Sequence, residues 1–260
     1  MIRFCIVATT RSGTSYLATA LTGCPTVICH GEIFHSRVRE HISREHVARL
    51  DLELRERDPK AFVESVYALK PDMHAAGFKI FRGHNDIALS HILADNGIKK
   101  IVLQRENVLA SYSSLLIAVK TGHWQGRPRR EEPPPEDPGS IEPEQCEPEQ
   151  CEPENREPID PRVTFDRTDF MSYWNWERQT YDYYRGSIAA AKGVCLNIDY
   201  QTLTSGDFSS IEQFLDLPTG YPWPTDIRKL NTPYILDRFY NPDDVHEFAR
   251  ERKIEHWLQE

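Results

Sequence analysis

Residues 2–15 read Ile-Arg-Phe-Cys-Ile-Val-Ala-Thr-Thr-Arg-Ser-Gly-Thr-Ser. The apolar run at 4–8 stops at small polar residues, and an amphipathic segment at 16–21 follows at once. Strand, tight loop, helix is the simplest reading. Such a loop aims several backbone N–H groups and the positive end of a helix at one point, which suits a phosphate or a sulfate. Gly13 lets the backbone approach an anion closely, Thr14 and Ser15 add hydroxyl donors, and Arg11 adds a cation. The ATP-binding pattern G-x-x-x-x-G-K-[ST] is met only in part, because Ala8 stands at its first glycine and Thr14 at its lysine. The loop is P-loop-like without the lysine that reaches the β- and γ-phosphates, which disfavours an ordinary Mg-ATP enzyme.

A chain of 260 residues is long enough for one domain with a sizeable core. The net charge of −9 is local in origin. Residues 131–160 hold twelve acidic residues and one basic residue, which leaves about +2 for everything else. No basic stripe with interleaved aromatics is present, so nucleic acid is not an expected partner. The sequence has no apolar run of transmembrane length and no signal-peptide pattern at its start. The six cysteines are dispersed, and Cys5, Cys29 and Cys195 fall in expected strands, where a buried thiol acts as a small hydrophobe. A reduced, cytoplasmic protein is expected.

Further along, strands are expected near 26–29, 77–81, 100–104 and 194–198. Helices are expected at 36–58, 59–69, 86–94, 107–120, 170–191, 209–215 and 242–257. Alternating strands and helices predict an α/β fold, a central parallel sheet of four or five strands flanked by helices. The pattern breaks at about 123–162, where prolines, acids and a repeated Glu-Pro-Glu-Gln-Cys predict an extended or disordered insertion in a single domain. Cys146 and Cys151 lie in that repeat with no flanking histidines, so repeat expansion explains them better than a metal pair.

A second motif joins the first. Arg105 closes an expected strand, and Ser113 follows eight residues later on the next helix. An arginine at the carboxyl end of a parallel strand, with a hydroxyl two helical turns on, suits a second phosphate. Two anion sites on adjacent strand ends fit a nucleotide with phosphates on both sides of its ribose.

Taken together these stretches resemble the PAPS-dependent sulfotransferases, in particular the bacterial and Golgi-type carbohydrate branch. Thr10-Arg11-Ser12-Gly13-Thr14-Ser15 is similar to that family's 5′-phosphosulfate loop, and Val102 to Arg105 with Ser113 resembles its 3′-phosphate motif. The run at 197–203 resembles the family's strand-Tyr-Glu-x-Leu segment, with Gln201 in place of the usual Glu. The resemblance implies a P-loop NTPase-like three-layer fold and transfer of a sulfuryl group from PAPS to an acceptor hydroxyl, without a metal. It implies a carbohydrate or glycolipid acceptor. Tyr200 would lie by the adenine, and Lys79, in Gly77-Phe78-Lys79, would touch the transferring group. Phe81 occupies the place of the cytosolic members' histidine base. Gly31-Glu32-Ile33-Phe34 fits the carbohydrate branch's pattern for a glutamate base, which assigns that role to Glu32.

Other readings stand beside these. Glu32 taken alone is an acidic residue at a helix start, and His35 is an alternative base. His30, His35 and His84 read as solvated loop histidines. Arg105 can cap a strand end by an ion pair, Lys79 can pair structurally, and Lys229 is either a solvated loop lysine or a 3′-phosphate ligand. A P-loop-like nucleotide or small-molecule kinase is the enzymatic alternative. A binding module that recruits partners through the acidic repeat is the non-enzymatic one.

Overall fold

The computed structural model describes residues 1–37, 41–42, 44–124, 159–225, 227 and 229–260. The repeat with Cys146 and Cys151, and the expectation of disorder across it, lie outside the described residues. Among the described residues five strands are formed: β1 (Ile2–Ala8), β2 (Val27–Glu32), β3 (Ala75–Phe81), β4 (Ile98–Gln104) and β5 (Cys195–Asp199). The helices are α1 (Thr14–Gly23), α2 (Arg44–Val47), α3 (Leu54–Arg57), α4 (Pro59–Tyr67), α5 (Asp86–Ala94), α6 (Val108–Thr121), α7 (Arg167–Ala190), α8 (Tyr200–Thr204), α9 (Ser209–Phe214) and α10 (Pro242–Arg252).

The strands pair in the order β2-β3-β1-β4-β5, and every neighbouring pair is parallel. Alternation along the strands divides the core between two faces. Cys5, Val7, Phe78, Ile80 and Val102 pack against Phe62 and Val66 of α4, Leu89 and Ile92 of α5, and Tyr181 and Tyr184 of α7. Phe4, Ile6, Ala8, Ile101 and Leu103 pack against Leu17 and Leu21 of α1, Leu203 of α8 and Ile211 of α9. Both faces of the sheet are thus covered, which is why β1, β3 and β4 consist mostly of apolar residues. Each fully buried Phe, Leu or Ile adds about 1.5–3 kcal/mol of hydrophobic stabilisation. The result is the expected α/β fold, a parallel sheet between two helical layers. A third apolar cluster, including Val108, Leu109, Phe165, Phe170 and Phe248, seats α6 and α10 beside it.

Helix starts follow the sequence signals. Asp58 caps α4 by accepting from the Ala61 N–H, with Pro59 in the first turn. Asn85 and Asn107 cap α5 and α6 in the same way. Two expected helices are corrected. The charged stretch at 36–58 is not one helix but the single turns α2 and α3 among described turns; the Asp51 side chain accepts from the Glu53 N–H and holds a turn between them. Segments this short gain little from helical hydrogen bonds alone. The expected helix at 242–257 stops at Arg252, because Lys253 turns left-handed with φ 57°. A 3₁₀ turn, Glu255–Leu258, then carries Trp257 onto Trp174, with ring centres 5.0 Å apart.

The connection from β1 leads to one side of the sheet, through α1 to β2, and that from β4 leads to the other, to β5. The carboxyl ends of the adjacent strands β1 and β4 therefore flank a topological switch, where open α/β sheets bind ligands. Among the described residues no helix is long and apolar enough to cross a membrane.

Candidate active site

Beyond Ala8 the backbone turns through Arg11 (φ 66°) and Gly13 (φ 92°), both left-handed. Gly13 is the N-cap of α1, no side chain caps that end, and its first turn carries no acid. The helix dipole and first-turn N–H groups are left for an outside anion. A Cβ on Gly13 would stand 2.7 Å from Tyr200 Cδ2, so glycine is what lets the tyrosine ring close on the loop. Ser12 is turned inward, and its hydroxyl donates to the Thr9 carbonyl at 2.7 Å. The root of the loop is clamped from α7: Thr9 Oγ1 donates to Glu177 at 2.7 Å, and the Thr9 N–H donates to Tyr181 Oη at 3.2 Å. Burial pushes the Glu177 carboxyl up to about 7, against its hydrogen bonds from Thr9 and Tyr173.

Arg105, just past β4, donates from Nη1 to the Arg11 carbonyl at 2.9 Å and lies 4.4 Å above the Tyr200 ring centre. Strand ends β1, β4 and β5 are thereby joined in one wall. Arg11 donates from Nε to Ser114 at 2.9 Å, and Asn231 donates to the same hydroxyl at 3.0 Å. Burial first, and then the nearby Arg105, hold the Arg11 guanidinium below its usual range. Beside Arg105, Lys229 and Arg238 both approach Glu260, each at 3.1 Å. Arg238 also donates to Ser113 at 3.0 Å.

Across the loop, Lys79 on β3 reaches between two groups. Its Nζ donates to Ser15 Oγ at 3.2 Å and pairs with Glu32 Oε1 at 3.2 Å. Glu32 ends β2, and His84 Nε2 lies 3.7 Å from its other oxygen. Burial raises the Glu32 carboxyl, but Lys79, His41 and His84 outweigh it and hold the group below the usual 4.5. At neutral pH Glu32 is a carboxylate, the form that accepts a proton. Glu32, His35 and His41 also offer ligand atoms within 4.8 Å of one another. Both halves open into one cavity of about 780 Å³.

No family model and no curated protein matches the chain. It is similar to a solved sulfotransferase. That crystal structure, from Alicyclobacillus acidocaldarius, shares 12% identity across 99% of this chain and 96% of its own, with a TM-score of 0.49.

Of the residues singled out in the sequence, Arg11, Gly13, Thr14, Ser15, Glu32, His35, His84, Arg105, Tyr200 and Lys229 line this cavity together. Lys79 lies just behind it, between Ser15 and Glu32. Ser113 is fully buried beneath Arg238, and it is the neighbouring Ser114 that lines the cleft. His30 is not a solvated loop residue: it is buried on β2 against His46, with ring centres 5.4 Å apart, and burial lowers its ring to about 4. Lys229 is not merely solvated, given its ion pair. Sequence reasoning missed Glu177, Asn231, Arg238 and Glu260. None carries a local motif, and only the tertiary fold brings Asn231, Arg238 and Glu260 to the cleft and Glu177 beneath the loop.

Proposed function

We propose that this chain transfers a sulfuryl group from 3′-phosphoadenosine 5′-phosphosulfate (PAPS) to an acceptor hydroxyl, on a carbohydrate or glycolipid. The observation that carries the reading is the pairing of two cationic centres at adjacent strand ends with a half-buried, ionised Glu32 across the loop. The residues fit such a donor. Arg105 keeps a buried Nε without a hydrogen-bond partner, and the cations around Glu260 outnumber its one carboxylate.

In this reading Arg11, Ser12, Gly13, Thr14 and Ser15 form the loop around the phosphosulfate, with Ser12 holding its shape. Arg105 and Lys229 take the 3′-phosphate, and Ser113 acts through Arg238. Tyr200, fixed between Gly13 and Arg105, lies beside the base of the nucleotide. PAPS, when bound, supplies a sulfuryl group already activated on a phosphate leaving group. Glu32 accepts the proton of the attacking hydroxyl. Arg11, the loop N–H groups and Lys79 stabilise the charge that grows on the leaving side, and cost little reorganisation because they are held in advance. Lys79 also fixes the Glu32 carboxylate relative to Ser15, which aligns acceptor and donor.

Calorimetric titration with the desulfated product PAP, with AMP and with Mg-ATP tests this, repeated on Arg105→Ala. Expected is PAP binding that is tighter than AMP, needs no metal and is lost in the variant. PAP binding no tighter than AMP would overturn the paired-phosphate reading. Preference for Mg-ATP would favour a kinase.

A further inference from the structure

Glu260 is the one carboxylate among the described residues to which three cations converge. Its side chain is 4% exposed, and it pairs with Arg105 through Oε1 and with Lys229 and Arg238 through Oε2. Arg105 and Arg238 are themselves buried. Counted against the Glu260 side chain alone, its three cationic partners keep two positive charges in excess, beside Arg11 in the same cavity. A structural ion pair needs one cation; two buried arginines and an exposed lysine around one acid form a site for more negative charge than its side chain supplies. Burial alone would raise the Glu260 carboxyl, yet Arg105 and Lys229 hold it below its usual value, which records how strongly the nest favours an anion.

The segment that brings Glu260 there is anchored just before it, where Trp257 and Leu258 pack on the third apolar cluster and Asn107 donates to the Trp257 carbonyl at 2.8 Å, so displacement asks only the Glu260 side chain to move. Its backbone is tied by the Glu260 N–H to the Pro233 carbonyl at 3.0 Å and by the Ile235 N–H to the Leu258 carbonyl at 3.0 Å, around an isolated bridge from Tyr234 to Gln259.

We infer that Glu260 is an internal stand-in for the second phosphate of the nucleotide, and that it sets how strongly a donor with that phosphate is preferred over one without it. The inference rests on the donor reading above. A phosphate monoester brings nearly two negative charges and more acceptor oxygens than a carboxylate, so it satisfies the nest better. It binds by displacing Glu260, and the affinity observed is reduced by that competition. A nucleotide carrying only a 5′-phosphate leaves Glu260 in place and is indifferent to it. Glu260 is thus a specificity-determining residue that takes no part in the chemical step.

The test compares the wild-type protein with Glu260→Gln by calorimetry against PAP, AMP and inorganic phosphate, with thermal unfolding as the check on folding. Glu260→Asp, which keeps the charge on a shorter arm, serves as a second variant and shifts in the same direction by less. The expected result is a PAP Kd at least tenfold lower in Glu260→Gln, an unchanged AMP Kd, and phosphate binding at concentrations that leave the wild type free. If PAP binds both proteins alike, or the variant more weakly, while still outbinding AMP, Glu260 only holds the arginines in place; the inference falls and the donor reading survives. If PAP never outbinds AMP, the donor reading fails. The phosphate arm then decides separately: phosphate binding gained in the variant keeps Glu260 as the guard of an anion site, and its absence removes that too.

Discussion

The Lys79 ammonium stands 3.2 Å from Glu32 Oε1 and 3.2 Å from Ser15 Oγ, so one buried cation links the end of β2 to the anion loop after β1. The register allows it: β3 lies between β2 and β1, and Lys79 pairs in register with Glu32 on one side and Ile6 on the other. A lysine at this position touches both halves of the cleft.

Glu32→Gln keeps the size of the side chain and removes the proton acceptor. Turnover is expected to fall by roughly 10²–10⁴-fold, the usual range for a general base, with PAP affinity unchanged. Steady-state assay beside calorimetry separates the two. Retained turnover would move the role to His35.

Lys79→Met leaves Glu32 half-buried without its cation. In the wild type the lowered carboxyl is ionised above about pH 4.5, and the stability it contributes is lost only as pH falls through the still lower folded value. Without Lys79 the largest charge opposing burial is gone while His41 and His84 remain, so the carboxyl rises and the acid limb of the kcat/KM profile moves to higher pH. Breaking one side of a buried pair also costs on the order of 3 kcal/mol of stability, read from denaturant unfolding.

Glu177 behaves in the opposite sense. Its carboxyl is raised from 4.5 to about 7 by burial, so its contribution to stability is complete below about pH 4.5 and is lost as pH rises towards 7. Glu177→Gln removes the charge that burial penalises. The variant is expected to be more stable than wild type at pH 8, by on the order of 3 kcal/mol, and to show little difference at pH 4.5. Unfolding curves at the two pH values decide it; an equal gain at both would exclude a titration effect.

Gly13→Ala puts a methyl 2.7 Å from the Tyr200 ring at a φ of 92°. The left-handed backbone alone costs roughly 1 kcal/mol with a side chain, and the ring must also retreat. PAP affinity is expected to fall at least tenfold, read by calorimetry; affinity equal to wild type would show that the ring can retreat without disturbing the site.

Turnover is expected to survive chelation by EDTA. Although Glu32, His35 and His41 come within 4.8 Å of one another, the Lys79 ammonium already engages a Glu32 oxygen and repels a second cation. Loss of activity on dialysis against chelator, restored by zinc, would show that the cluster holds a functional metal.

The loop at 9–15 and the Arg105 strand end were readable because their chemistry is local: a strand, small residues and a cation in consecutive positions. Glu32 and Lys79 were readable as residues, but not their contact, which depends on β3 lying between β2 and β1. Ser113 and Ser114 illustrate the limit. Spacing on α6 favoured the first, whereas the helix's rotation buries it and turns the second to the cleft. Arg238 and Glu260 belong to irregular segments with no periodicity, so nothing before folding marks them. The helices expected at 36–58 and 242–257 failed where charge and spacing suggested continuity but turns intervened.

β1 is hydrogen-bonded to strands on both sides, and Phe4 to Ala8 have no exposed surface. Amides in such a strand exchange with solvent only when the whole molecule opens. The left-handed Arg11 that follows carries a backbone penalty of roughly 1–2 kcal/mol. That strained turn is rooted in the strand expected to open last, so local fraying cannot relax it, and the loop's shape is as durable as the core of the sheet.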